Sequence, residues 1–281
     1  MSTSLSLKIL YFIIASTFPI VTLGQIVEIF EPTLLEVEYY KRMVTDTLDR
    51  KNDFKADYVR LRVGRTTSMF YSPKELWYDS LSYNQELKTQ VFLKASRNNQ
   101  SASGPFKERL YKNYPTGKIT VYNRFAMMYW TYTEEWEKPT WTLKDSVKNI
   151  LNYNCQLAIC FYRGRYWFAW YTIDLPISEG PWKLCGLPGL ILEAYDLSQD
   201  YFYTAVNIKF KDIDSVGIYN YSERDWTRTT RKRYLQALYK DINTNQALKM
   251  SQMYNVLKFK VEEGKLPHRN YDLEETDYHN K

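Results

Sequence analysis

Apolar and polar residues alternate through most of the chain, with tyrosine frequent at the apolar positions. This pattern predicts β-strands, since successive side chains of an extended segment point to opposite faces. Residues 34–44 (LLEVEYYKRMV), 58–63 and 67–71 read as the first strands, with Gly64-Arg65 as a turn between two of them. Ser72-Pro73-Lys74-Glu75 combines a capping serine, a proline at the first helical position and a glutamate three residues after the cap, so a helix runs from Pro73 into the eighties. Residues 98–104 (NNQSASG) are small, polar and aperiodic, which marks a surface loop. Strands resume at 118–122 and 124–133, and the run 141–150 leads to residues 152–162 and 166–173. These last two, rich in aromatic and β-branched residues, flank Arg163-Gly164-Arg165 and form a hairpin. Residues 190–195 and 201–209 make another pair, with an edge strand near 216–219. From 229 to 257 the period changes: Tyr234, Leu235, Leu238, Ile242, Leu248 and Met253 recur at helical intervals, the mark of one or two amphipathic helices packed on the sheet. The expected fold is mainly β (α+β), a curved antiparallel sheet up to a half-barrel, with one helix in the N-terminal half and the C-terminal helices laid on it.

Three segments divide the chain. Residues 1–24 read as a signal peptide: Lys8 is their only charge, the run 9–23 is largely apolar, and Thr22-Leu23-Gly24 offers a small-x-small cleavage site before Gln25. The run is short for a membrane span and Pro19 interrupts it, although a retained N-terminal anchor is the alternative. No cysteine follows the small residue, so a lipobox anchor is not expected, and no later stretch is apolar enough to span a bilayer as a helix. Residues 25–264 form a single domain, with no Pro/Gly/Ser-rich linker to split it, and residues 265–281 form a polar, extended tail. Aromatic residues make up 17% of the chain, enough apolar area for a substantial core. A formal charge of +6 is mild, and the basic run Arg228, Arg231, Lys232 and Arg233 reads as a solvated helix face, or as a contact for anionic lipid or an acidic partner. Nucleic acid is not an expected partner of an exported protein.

The most informative stretch is 152–193, NYNCQLAICFYRGRYWFAWYTIDLPISEGPWKLCGLPGLILE. Its Tyr-x-Cys-Gln-x-Ala strand at 153–158, Phe161 with Gly164-Arg165, Ala169-Trp170-Tyr171-Thr172, Pro176-Ile177-Ser178, Gly180-Pro181-Trp182-Lys183 and the closing Gly186-Leu187-Pro188-Gly189-Leu190-Ile191-Leu192-Glu193 occur in one order. In these pieces the chain resembles the GLPGLI family of exported proteins, known mostly from Bacteroidetes. The resemblance implies an envelope protein, periplasmic or secreted, of unestablished function. It departs at Leu157 and Asn152, where the family has lysine and glycine, and it thins over the first 110 residues. Read from its chemistry, Leu187-Pro188-Gly189-Leu190 predicts a type II turn, with Pro fixing φ near −65° and Gly supplying a positive φ. Residues Gly186 to Ile191 are therefore assigned an architectural role, and they lack the lysine and spacing of a phosphate-binding loop.

Chemistry is sparser. Arg165 follows the hairpin turn, close in sequence to Trp167 and Trp170. The plainer reading is a structural arginine, stacked on a ring or paired with Asp174 or Glu193. The functional one makes Arg165 the anchor for an anionic headgroup or peptide carboxylate, at the mouth of a groove lined by Trp167, Trp170 and Trp182. Cys155 and Cys160 are too far apart along one strand to pair, so Cys185 with either of them is the plausible disulfide. Cys185 as a nucleophile would need His268 or His279 as a base, and both lie in the tail. Asp174, Glu179, Glu193 and Asp196 offer acids for a hydrolase, with alternation turning Glu193 toward solvent. The cysteines and His268 match no zinc spacing, so neither metal nor cofactor is expected and no catalytic residue is assigned. The leading expectation is a non-enzymatic protein that binds a lipid, a peptide or an envelope protein; a secreted hydrolase and a structural assembly partner are the alternatives.

Overall fold

The structure, a computed structural model, describes residues 26–98, 100–126, 128–221, 225–243 and 272–279. Strands β1 (Ile26–Glu31), β2 (Leu35–Val44), β3 (Phe54–Val63) and β4 (Ser68–Tyr71) precede two helices, α1 (Pro73–Ser80) and α2 (Gln85–Arg97). Then come β5 (Arg109–Lys112), β6 (Lys118–Phe125), β7 (Met128–Glu135), β8 (Thr142–Ile150), β9 (Tyr153–Tyr162) and β10 (Arg165–Thr172). The described part continues with β11 (Leu190–Asp196), β12 (Tyr201–Lys209), β13 (Val216–Asn220), β14 (Thr227–Arg228) and α3 (Arg231–Asn243). Twelve of these strands form one sheet in the order β14-β7-β6-β5-β4-β3-β2-β12-β11-β10-β9-β8, while β1 and β13 pair separately. Neighbours are antiparallel except the two-residue β14, which runs parallel to β7.

This order requires strong curvature. The chain meanders from β2 out to β7, crosses to β8 at the other end, and meanders back to β12, which pairs with β2. Laid flat, the ten steps from β7 to β8 at about 4.8 Å each would separate them by about 48 Å. The connection between them, residues 136–141, reaches no more than about 25 Å. The sheet therefore rolls until its ends face each other, without closing into a barrel. Side chains bridge the seam: Arg163 in the β9–β10 turn binds Glu134 of β7 at 2.9 Å, and the Tyr162 hydroxyl donates to the Glu137 carbonyl at 3.0 Å.

Inward positions from both halves share one core, including Val37 and Tyr39, Leu61, Leu110, Val121, Trp167, Ala169, Leu192 and Tyr203. The loop between β10 and β11 plugs it with Trp182, Leu184 and Leu187, and α3 adds Tyr234 and Leu235.

Local chemistry explains the joints. Tyr162 pairs with Arg165 across a two-residue turn in which Arg163 (φ 53°) and Gly164 (φ 87°) are both left-handed, the type I′ geometry that suits the twist of a hairpin. Ser72 caps α1, accepting the Glu75 amide at 3.3 Å as its sequence predicts. The helix expected to run into the eighties instead breaks: Asn84 leaves helical geometry and caps a second helix by accepting the Leu87 amide at 3.0 Å. The boundary expected between strands at residue 123 falls at Ala126, whose φ of 50° forms the β6–β7 turn.

Two further expectations are corrected. Gly189 does not supply the left-handed residue of a type II turn; among the motif glycines that conformation belongs to Gly186, at φ 93°. Position 189 needs glycine because a Cβ would lie 1.9 Å from the Thr172 carbonyl oxygen, where β10 ends against it. The tail that the sequence shows as polar and extended is packed where it is described. Residues 272–279 return to the domain, with Leu273, Glu275 and Tyr278 buried. Their side chains find partners that only the folded sheet brings within reach. A second C-terminal helix would lie outside the described residues.

Candidate functional site

A cavity of about 330 Å³ opens between the inner face of the sheet, α3 and the returning tail. Strand alternation places Leu35, Val37 and Tyr39 of β2 in the core, and the next inward position is Lys41, whose Nζ reaches the wall of this cavity. A lysine there is tolerable because it is paired: Nζ lies 3.1 Å from Glu274 of the tail, 4.8 Å from the Phe106 ring centre and 5.0 Å from that of Tyr203. Glu274 also accepts the Tyr203 hydroxyl. On the opposite side Leu235, Leu238 and Ile242 of α3 contribute an aliphatic wall.

Beneath lies a denser charge network. Lys183, fully buried, donates to Glu134, to Glu275 and to the Tyr132 hydroxyl at 3.1 Å. Arg231, at the start of α3, holds the other Glu275 oxygen and Asp277. Burial alone would raise the Glu275 carboxyl, but Lys183 and Arg231 pull it below its ordinary value. Glu275 and Glu134 in turn keep Lys183 charged against its own burial. This network joins four elements distant in sequence: β7, the β10–β11 loop, α3 and the tail.

Glu108, just before β5, behaves differently. It lines the cavity half-buried and, among the described residues, takes part in no hydrogen bond or ion pair. Burial pushes its carboxyl up to about 7; Glu274 and Glu275 add to this and Lys41 and Lys183 oppose it. Neighbouring Lys107 is brought down to about 8 by burial, despite Glu75 at 3.4 Å. Glu108 and Glu275 thus share one cavity in opposed protonation tendencies, set by the lack of a counter-ion in one case and the presence of two in the other.

The residues singled out in the sequence separate. Trp182 lines the cavity, held there at a left-handed φ of 53° with its ring 5.4 Å from that of Trp167. Non-glycine residues rarely adopt that conformation, and here it turns the Trp182 ring into the wall beside the inward-facing Lys183. Trp167 is fully buried behind it. Trp170 lies at an alternate position to Trp167 and is capped by Lys148, whose Nζ is 4.5 Å from its ring. Arg165 binds Asp196 at 2.8 Å and the Leu273 carbonyl at 2.6 Å, over the Tyr201 ring. It fastens the tail, and its carboxylate partner is Asp196 where the sequence suggested Asp174 or Glu193.

Cys155, Cys160 and Cys185 are all free and buried, so the expected bridge from Cys185 is not formed. Burial pushes the Cys185 thiol up to about 11, which leaves it a poor nucleophile at neutral pH. None of Asp174, Glu179, Glu193 and Cys185 lines the cavity, and His268 lies outside the described residues. Glu193 does not face open solvent; it pairs with Lys148 and is largely shielded. Among the described residues no group of three or more His, Cys, Asp or Glu side chains is arranged to hold a metal ion. Sequence reading missed Lys41, Glu108, Glu274 and Glu275. Only Lys41 carried a signal, a charge at an inward position of an alternating strand.

Comparison with known proteins adds little chemistry. A family model described as "Protein of unknown function (Porph_ging)" matches residues 162–193, the span from the hairpin turn to Glu193. No curated protein sequence matches. Among solved structures, one described as "Structure of PNGF-II in P21 space group" aligns at a TM-score of 0.48 and 14% identity, covering 74% of this chain and 34% of its own. A second, "Structure of PNGF-II in C2 space group", aligns at 0.46 and 13%, covering 74% and 33%. The chain thus spans about a third of the length of these structures.

Proposed function

We propose that the chain is an exported protein, periplasmic or secreted, that holds a small amphipathic ligand in the cleft between its rolled sheet and α3. One observation carries this reading: a cavity of about 330 Å³ faced by aliphatic residues of α3, and on the sheet and tail side by Lys41, Glu108 and Glu274, with Phe106, Trp182 and Tyr201 among its rings. A cavity mostly apolar in lining with a few placed polar groups is the usual form of a small-molecule site. Export is supported by the leader-like composition of residues 1–24.

Native mass spectrometry of the protein purified without detergent tests the reading. The wild type is expected to carry a small amphipathic adduct, and Leu238→Trp, which fills the α3 side of the cleft, to lose it while unfolding at the same temperature. An adduct retained by the variant would place binding elsewhere; a wild type that neither carries nor takes up any amphiphile would end the proposal.

A further inference from the structure

We propose that the cleft selects ligands that carry an ammonium group on an apolar body, with Glu108 as the counter-ion and the surrounding rings as the seat of the cation. This rests on the reading of the cleft as a binding site and names the class of molecule it takes.

Charge matching in the cavity leads to that class. Lys41 is neutralised by Glu274 at 3.1 Å. Lys107 and Arg124 share Glu75, at 3.4 and 3.3 Å, and Arg124 also donates to Ser103 at 3.0 Å. Lys55 and Asp241 are engaged as well. An anionic headgroup entering the cleft meets no uncommitted cation among the described residues. Glu108 alone of the lining ionisable groups lacks a partner there. Glu108 is half-buried and loses part of its hydration without gaining an ion pair in return, and a ligand cation seated in the cleft supplies the missing counter-ion as it displaces the remaining water.

The rings around it suit the same guest. Phe106, Trp182, Tyr201 and Tyr234 line the cavity, and aromatic faces attract ammonium groups through their quadrupoles. Phe106, Tyr201 and Trp182 already take Lys41, Arg165 and Lys183 at 4.8, 5.0 and 5.7 Å, so rings of this cleft accept cations, and a guest would use Tyr234 and the ring faces these side chains leave open. The α3 wall then receives the apolar body.

Binding of this kind is linked to protons. The groups facing Glu108 are Lys41 of β2, Tyr132 of β7, Lys183 of the β10–β11 loop, Tyr203 of β12, Tyr234 of α3, and Glu274 and Glu275 of the tail. The phenols are all raised by burial and stay neutral, and Lys183 and Glu275 are locked together, so of these groups Glu108 changes charge near neutrality. Lys107, which also lines the cavity and pairs with Glu75, gains its charge as the pH falls through about 8 and so disfavours a cation in the same direction. An ammonium guest requires the ionised form of Glu108, so affinity is expected to fall about tenfold between pH 8 and pH 6.

Titration calorimetry with decylammonium, decanol and decanoate, each below its micellar concentration, decides the matter. At pH 8 decylammonium is expected to bind at least tenfold more tightly than decanol, with decanoate weakest, and Glu108→Gln to abolish that preference while still binding decanol. Glu108→Leu provides a second variant with the same expectation. Lysophosphatidylethanolamine serves as a further arm: binding that Glu108→Gln weakens assigns the ammonium to a lipid headgroup, and its failure beside tight decylammonium binding assigns it to a free amine. A wild type that binds decanol as well as decylammonium, or a Glu108→Gln protein that keeps the preference, overturns this inference and leaves the cleft as a binding site. If none of the four probes binds, the proposed function itself fails.

Discussion

Glu108 lines the cleft with no ion-pair partner among the described residues. Burial raises its folded carboxyl from the ordinary 4.5 to about 7, so folding favours its protonated form. The resulting penalty is absent below about pH 4.5, grows as the pH rises between the two values, and is fully present above about 7. Glu108→Gln removes it. In urea unfolding the variant is expected to gain on the order of 2 kcal/mol over the wild type at pH 8 and almost nothing at pH 4.5. An equal difference at both values would mean that the carboxyl titrates normally. The cysteines make a second test at this scale: all three are buried as thiols, with Cys160 pushed up to about 12. A thiol reagent at neutral pH is expected to find none in the native protein and all of them in denaturant, whereas a single reactive thiol in denaturant would restore the disulfide.

At the scale of elements, the C-terminal segment departs most from its sequence pattern. Nothing periodic marks residues 272–279, yet Leu273 is buried, its carbonyl accepts from Arg165, Glu274 neutralises Lys41 and Glu275 neutralises Lys183. Truncation after residue 271 strands the buried Lys183 beside Glu134 alone and takes one wall from the cleft. We expect it to cost about 3–5 kcal/mol in chemical denaturation, the range for breaking a buried ion pair, where a free polar tail would cost nothing measurable. The contrast with α2 is instructive. Its periodicity resembles that of a packed helix, but none of its residues is buried, and Phe92 and Leu93 are 53% and 47% exposed. Helical spacing reports what a segment is able to form, and burial depends on what stands opposite.

The whole molecule is governed by the seam between β7 and β8. Six connecting residues force the ends of a long sheet together, and side chains from the β9–β10 turn hold them. Arg163 binds Glu134 at 2.9 Å and Glu137 at 3.3 Å, and is 9% exposed. Arg163→Met is expected to lower stability by about 3 kcal/mol and to speed amide exchange in residues 136–141, with little change in β2 and β3 at the middle of the sheet. Uniform loss of protection would show that the seam is not a separate unit. Outside the roll, Phe161 and Tyr166 lie exposed at 62% and 54% with ring centres 5.0 Å apart. They mark an apolar outer face distinct from the cleft.

Local rules determined most of the framework from the sequence alone. Alternation located the strands, because a half-buried strand needs apolar side chains at every second position. The Arg163-Gly164 hairpin and the Ser72 cap were legible because each is satisfied within a few residues. The role of Gly189 was not, since it depends on Thr172 from another strand, and neither was the β10–β11 loop's burial of Lys183. The site followed the same division. Trp182, which lines the cavity, stands in a recognisable motif, but Glu108 is an ordinary glutamate until Lys41, Lys183, Glu274 and Glu275 are arranged around it. Whether a charge such as Lys183 or Lys41 is paired or left alone is fixed by groups between 49 and 233 residues away in the chain. Only the rolled sheet, by bringing them within reach of one another, decided which acid was left without a counter-ion.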